Sequence, residues 1–199
     1  MNAQSQLAGG FADPVHDAQT AFRRVLDALS RPGRPVTLGR SVKGLPLEAA
    51  MAHLLLALTD DDTAVWWQYS DKVAAEWLRF HTGARVASAQ CEAAFAVLTD
   101  ASAMLALETF AQGSMASPET SATLLMEVPS LDAGPAVEWR GPGIQTVQTV
   151  RIAGLPDNFW TQWHANHARF PQGVDIVFCC ANQALGLPRT TRVRRLEGI

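Results

Sequence analysis

The strongest constraint on the fold is a rhythm: short apolar runs of strand length alternate with helix-patterned segments as far as Val128, and hairpin-like pairs follow. "DPVHDAQTAFRRVLDALSRPG" sets Val15, Ala18, Phe22, Val25, Leu26 and Leu29 at helical spacing, with Asp13 and Pro14 as a start signal and the Pro32-Gly33 pair as a stop. Consecutive helical residues point about 100° apart, so only one of Arg23 and Arg24 can stand squarely in solvent while the other leans toward a neighbour. A strand is then expected at "PVTLG", a helix over "PLEAAMAHLLLALTD" and a strand at "AVWWQY". Another helix is expected over "SDKVAAEWLRFHTG", capped by Ser70 and Asp71 and closed by Gly83. "AAFAVLT" reads as a strand, "ASAMLALETFAQGS" as a helix and "SATLLMEV" as a strand.

The remainder changes character. "AVEWRGPGI" and "TVQTVRIAG" read as two strands of a hairpin, "PDNFWTQWHANHARF" as a last helix, and "VDIVFCC" and "ALGLPRTTRV" as strands about the turn "ANQ". Alternation followed by hairpins predicts an α/β fold with a mixed sheet flanked by helices. With no internal repeat and no linker, one α/β domain is expected over residues 13–199, behind a flexible N-terminal tail over residues 1–12.

A chain of 199 residues, 48% hydrophobic and 18% charged, is long and apolar enough to bury such a core. Its formal charge of −3 and its scattered, apolar-interleaved arginines argue against a nucleic-acid surface, which needs a concentrated basic face. The N-terminal residues lack the basic-then-apolar plan of a secretion signal, and no run approaches the ~20 apolar residues that span a bilayer. A soluble cytoplasmic protein without membrane contact is expected. Cys91, Cys179 and Cys180 form an odd set with no second pair at finger-like spacing, so neither a disulfide framework nor a structural zinc site is expected. Cys179 and Cys180, being adjacent in a strand, should point to opposite faces and pack as small hydrophobes.

Several residues invite a chemical reading. Asp60, Asp61 and Asp62 can hold magnesium through carboxylate oxygens, or can simply fix the turn between a helix and a strand, and their position favours the turn. Arg79 and His81 lie in the last turn of a helix, where they can bracket an anion or merely cap the helix. His164 and His167 share a helix face, but without the glutamate of a zinc-protease motif a surface or interface role is favoured. The phosphate loop, the nucleophile elbow and the dinucleotide fingerprint are all missing. Lys43 and Lys72 are the only lysines, both in polar contexts, which argues against pyridoxal-phosphate chemistry.

The segments "DAQTAFRRVLDALSRPG", "DDDTAVW", "LRFHTG", "SPE", "GPGI", "FPQGVDIVF" and "LPRTT" occur in the order found in the H subunit of the bacterial carbon-phosphorus lyase system, which this chain resembles from about Asp13 to Thr191. The resemblance implies a homodimer that joins the G, I and J subunits in a core complex of phosphonate catabolism. It also implies support for the transfer of a ribose triphosphate unit from ATP to methylphosphonate, with release of adenine. The implied fold is that of the large domain of pyridoxal-phosphate-dependent transferases, without that cofactor.

The motif positions carried over are Arg23, Asp62, Arg79, His81, Glu119, Asp175 and Arg189. Arg23, Arg79, His81 and Arg189 suit a phosphate-type anion through charge-assisted bonds, whereas Asp62, Glu119 and Asp175 are read as structural or motif residues. Alternatively Arg189 pairs with Asp175 across neighbouring strands, or with Arg23, in a buried structural network, and this reading is favoured. Two functions follow from these observations. One is an accessory subunit that is inactive alone and meets its partners through tryptophans such as Trp160 and Trp163, which look exposed although both could equally pack inward; the other is an autonomous dimeric enzyme or binding protein acting on a phosphorylated small molecule.

Overall fold

The computed structural model describes residues 9–196. Asp13 starts α1 (Pro14–Ser30): its Oδ1 accepts from the amides of Val15 and His16, and Asp17 Oδ2 accepts from the Asp13 amide in return. Helix α1 buries Ala21, Val25 and Ala28, while Val15, Phe22 and Leu26 stay exposed. β1 (Val36–Thr37), α2 (Ala49–Leu58), β2 (Ala64–Trp67), α3 (Lys72–Thr82), β3 (Arg85–Val86), β4 (Phe95–Leu98) and β5 (Thr123–Glu127) continue the alternation. β6 (Ala136–Arg140), β7 (Gln148–Arg151), α4 (Phe159–Ala168), β8 (Asp175–Cys180), β9 (Gln183–Leu187) and β10 (Arg192–Arg195) complete it.

Seven strands form one sheet in the order β1-β9-β8-β5-β4-β2-β3, where β3, β2, β4, β5 and β8 pair in parallel and β9 is antiparallel to both neighbours. The expected mixed α/β sheet is therefore present. Strand alternation divides the apolar residues between two cores. Val97, Leu125, Val177 and Cys179 face α1, α2 and α3, whereas Leu98, Leu124, Met126, Ile176 and Phe178 face α4 and a second, three-stranded sheet. Cys179 and Cys180 do point to opposite faces, and burial pushes the Cys179 thiol well above its ordinary range. Close approach of α1 to the sheet depends on Gly186, where a Cβ would lie 2.5 Å from the Ala28 carbonyl oxygen.

Three expectations are corrected. "ASAMLALETFAQGS" is not a helix but two short 3-10 turns, Ala101–Ala103 and Leu107–Thr109. Side chains take the backbone groups that a helix would have paired: Gln162 Oε1 accepts from the Leu107 amide, and Gln112 Nε2 donates to the Leu107 and Phe110 carbonyls. "ALGLPRTTRV" is not one strand. It breaks after Leu187, and β10 leaves for the second sheet, where it pairs with β6, itself the antiparallel partner of β7. Pro188 has no amide for the ladder, and the Arg189 amide is claimed by Asp175 Oδ1 at 2.7 Å. Finally, Trp160 and Trp163 are buried in the core rather than exposed.

Residues 1–8 of the expected flexible tail lie outside the described residues. Residues 9–12 lie on the domain. The Trp77 indole donates to the Gly9 carbonyl at 2.5 Å, and Phe11 meets the His53 ring edge-on at 5.2 Å. Among the described residues no helix is long and apolar enough to cross a membrane.

Candidate functional site

Three of the motifs, far apart in sequence, converge at the amino ends of β5 and β8. Asp175 opens β8 and lies opposite Thr123, the first residue of β5. Its carboxylate accepts from the Arg189 amide and from Nε at 3.1 and 3.2 Å, and forms an ion pair with Nη2. Arg189 spends its remaining donors on the Pro118 and Pro171 carbonyl oxygens, at 3.1 and 3.2 Å, and on the Ser121 hydroxyl. The guanidinium thereby ties "SPE", "FPQGVD" and "LPRTT" together, with side-chain exposures of 13% for Arg189 and 22% for Asp175. Among the described residues the alternative network of this pair with Arg23 is not formed, Arg23 being exposed on α1. Every donor direction of this arginine is used by the protein, which makes the cluster a clasp.

The same corner is reinforced from α4. His167 Nδ1 bonds the Arg189 carbonyl at 2.8 Å and His164 Nε2 the Val193 carbonyl at 2.6 Å, so both rings donate N–H groups to the returning chain. Trp163 Nε1 donates to the Thr191 carbonyl at 2.9 Å. Asn166 matches both backbone groups of Val174, accepting from its amide at 2.8 Å and donating to its carbonyl at 2.9 Å.

At the opposite, carboxyl end of the parallel strands, where open α/β sheets leave a crevice, Glu48, Asp100, Ser102 and Glu127 line a cavity of about 370 Å³. Ser102 donates its hydroxyl to Asp100 Oδ1 at 2.6 Å, which holds that carboxyl below its ordinary range. Glu127 ends β5 and accepts from the Glu48 amide, at the start of α2, at 2.8 Å. Burial pushes the Glu127 carboxyl up to about 7, a rise that the bond from the Glu48 amide opposes and the Glu48 charge assists.

This shift has a consequence for stability. Below about pH 4, the unfolded and the folded Glu127 are both protonated and no cost arises. As pH rises toward about 7 the unfolded chain has released its proton while the folded one retains it, so stability declines through that window and is lowest above it. Glu127→Gln keeps an acceptor for the Glu48 amide without the charge. Its melting temperature should match that of the unmodified chain near pH 4.5 and exceed it by a few degrees near pH 8; parallel curves across that range would contradict the burial of this carboxyl.

The other motif residues do not gather in one place. Asp62 is exposed in the β2 entry turn, where Asp60 Oδ1 accepts from the amides of Asp62 and Thr63, so Asp60 rather than Asp62 organises the turn. Glu119 is exposed in a short 3-10 turn. Arg79 is exposed near the end of α3, and the His81 ring lies edge-on to Trp77 and Phe80 and against Gly10. Arg23 is exposed on α1; its neighbour Arg24 turns into a cleft shared with Arg40, Lys43 and His53. That grouping left no mark in the sequence, because its members come from one helix, a loop and a second helix with no spacing of their own. Glu127 was equally hidden, as a strand end resembles any other polar strand terminus.

A family model described as "Bacterial phosphonate metabolism protein (PhnH)" matches residues 9–194. The "Alpha-D-ribose 1-methylphosphonate 5-triphosphate synthase subunit PhnH" of Rhizobium meliloti (strain 1021) is 40% identical over 202 residues, covering 98% of this chain and 100% of the relative. The "Putative C-P lyase subunit protein HtxG" of Stutzerimonas stutzeri is 36% identical over 177 residues, covering 88% of this chain and 85% of that protein.

Proposed function

The chain belongs to the bacterial phosphonate metabolism protein (PhnH) family, and from that premise we propose that it serves as a subunit of a cytoplasmic carbon-phosphorus lyase core complex with G, I and J subunits. In this role it supports, without catalysing by itself, the transfer of a ribose 5-triphosphate unit from ATP to methylphosphonate with release of adenine. The observation that carries the reading is the end-to-end match, at 40% identity, with a protein named as a subunit of that synthase. A subunit function also suits the Asp175 and Arg189 clasp, whose charges satisfy one another instead of facing a reactant. The seven-stranded, largely parallel sheet supports the likeness to the large domain of pyridoxal-phosphate-dependent transferases, and the homodimer belongs to the same proposal.

Of the four basic residues that suit a phosphate-type anion, Arg23, Arg79 and His81 are assigned to that role in the complex and Arg189 to the clasp. Adenine release from ATP and methylphosphonate tests the whole reading. The purified chain should release none, its partner subunits without it should release little, and the reconstituted set should restore the reaction. Release by the chain alone would identify an autonomous enzyme, and full activity of the set without it would remove the chain from the reaction.

A further inference from the structure

A recess with a net positive lining lies apart from the clasp, between the segment at Gly9–Ala12, α1 and the loop after β1. It is a cleft of about 580 Å³ whose polar lining includes Thr20 and Arg24 of α1, Arg40, Ser41 and Lys43 of the loop, and His53 of α2. The four ion pairs among the described residues use Arg31, Arg169, Arg189 and Arg194. Arg24, Arg40 and Lys43 thus bring three positive charges to one recess with no carboxylate paired to them. Asp17 is the one acidic residue of the lining, and its carboxylate is engaged with the Asp13 amide at the start of α1.

The loop adds to this. Among the described residues, no amide from Gly39 to Gly44 donates to a protein acceptor, so a run of N–H groups is available beside the cations. The histidine is held in place. Its Nε2 donates to the Arg40 carbonyl at 3.1 Å, leaving Nδ1 for another partner, and its ring lies so close to Gly39 that a Cβ there would sit 1.9 Å from it. Guanidinium forks, an ammonium, hydroxyls and unpaired amides form a donor set that the single Asp17 carboxylate of the lining does not match, and the chemistry that satisfies it is a multiply charged oxyanion.

We propose that this cleft binds the phosphate chain of a polyphosphate-bearing small molecule, neutralised by Arg24, Arg40 and Lys43 and met by Thr20, Ser41 and His53. The assignment deepens the proposed function and rests on it for the ligand class, since a synthase named for a ribose 5-triphosphate handles such a chain. The placement of the site rests on the cleft alone.

Calorimetric titration of the full chain at constant ionic strength, with inorganic tripolyphosphate, pyrophosphate and orthophosphate as probes, tests it. Affinity should fall in that order. Arg24→Glu and Lys43→Glu should each weaken tripolyphosphate binding at least about tenfold, the effect of losing a charge-assisted contact, with unchanged thermal melting because both side chains are exposed. Arg195→Glu, on the exposed end of β10, should leave binding unchanged. No binding of tripolyphosphate, equal affinity for orthophosphate, or equal weakening by Arg195→Glu would overturn the site. Because the titration uses the chain alone, its failure with adenine release still dependent on the chain would remove only this cleft, whereas binding without such dependence would remove only the synthase reading.

Discussion

Replacing Arg189 by alanine is expected to lower the unfolding free energy by about 3–5 kcal/mol, the cost typical of removing one partner from a buried ion pair. The Asp175 carboxylate would be left partly buried, and the Ser121 hydroxyl and the Pro118 and Pro171 carbonyls would each lose a donor. The Asp175 bond to the residue-189 amide survives the change, so the corner loosens rather than vanishing. Arg189→Lys should recover only part of the loss, because an ammonium cannot span four acceptors held in a planar fork. Urea unfolding of the three proteins measures this directly. An Arg189→Ala chain of unchanged stability that nonetheless fails to support growth on a phosphonate would transfer this arginine from the clasp to a ligand.

Trp163→Ala should be comparably severe, costing about 3–5 kcal/mol, as expected for deleting a fully buried aromatic side chain without room for the core to collapse. Trp163 packs within the core that joins α4 to the two sheets, and its indole also holds the Thr191 carbonyl where the chain crosses from one sheet to the other. Trp163→Phe keeps most of the volume and loses that bond, so a smaller cost of about 1–3 kcal/mol is expected. Thermal unfolding followed by near-ultraviolet circular dichroism distinguishes the two substitutions. If Trp163→Ala abolished assembly with the partner subunits while leaving stability intact, Trp163 would be an interface anchor after all. Its burial and its bond to the backbone make loss of folding the expected route to any loss of function.

The clasp shows where sequence reasoning reached and where it stopped. A Pro and Gly turn before an apolar run is enough to place Asp175 early in a strand, and an arginine one hairpin later is within reach of it. The other partners were not legible: Pro118 and Ser121 lie 71 and 68 residues upstream of Arg189 and join only because β5 and β8 are neighbours in the sheet. The segment from Ala101 to Ser114 misled for a related reason. Its composition favours a helix, but the side chains of Gln162, from α4, and of its own Gln112 capture its backbone groups, and a weak local propensity yields to them. Trp160 and Trp163 misled because the buried face of this short helix includes the polar Asn166 while Ala165 and Ala168 lie exposed, so no clear polar and apolar division marks its inner face.

By itself the sequence determined the alternation, hence the α/β class, the cap that starts α1, the opposite facing of Cys179 and Cys180, and a set of motifs specific enough to point to a family. These depend on interactions within a few residues of chain, or on residue order. Only the tertiary structure decided that β10 joins a second sheet, that Arg189 is saturated while Arg24, Arg40 and Lys43 share a cleft, and that Glu127 is buried enough to hold its proton near neutrality. Charge and burial at those positions are properties of what the rest of the chain brings alongside, and no local pattern encodes the identity of a neighbour from a distant strand.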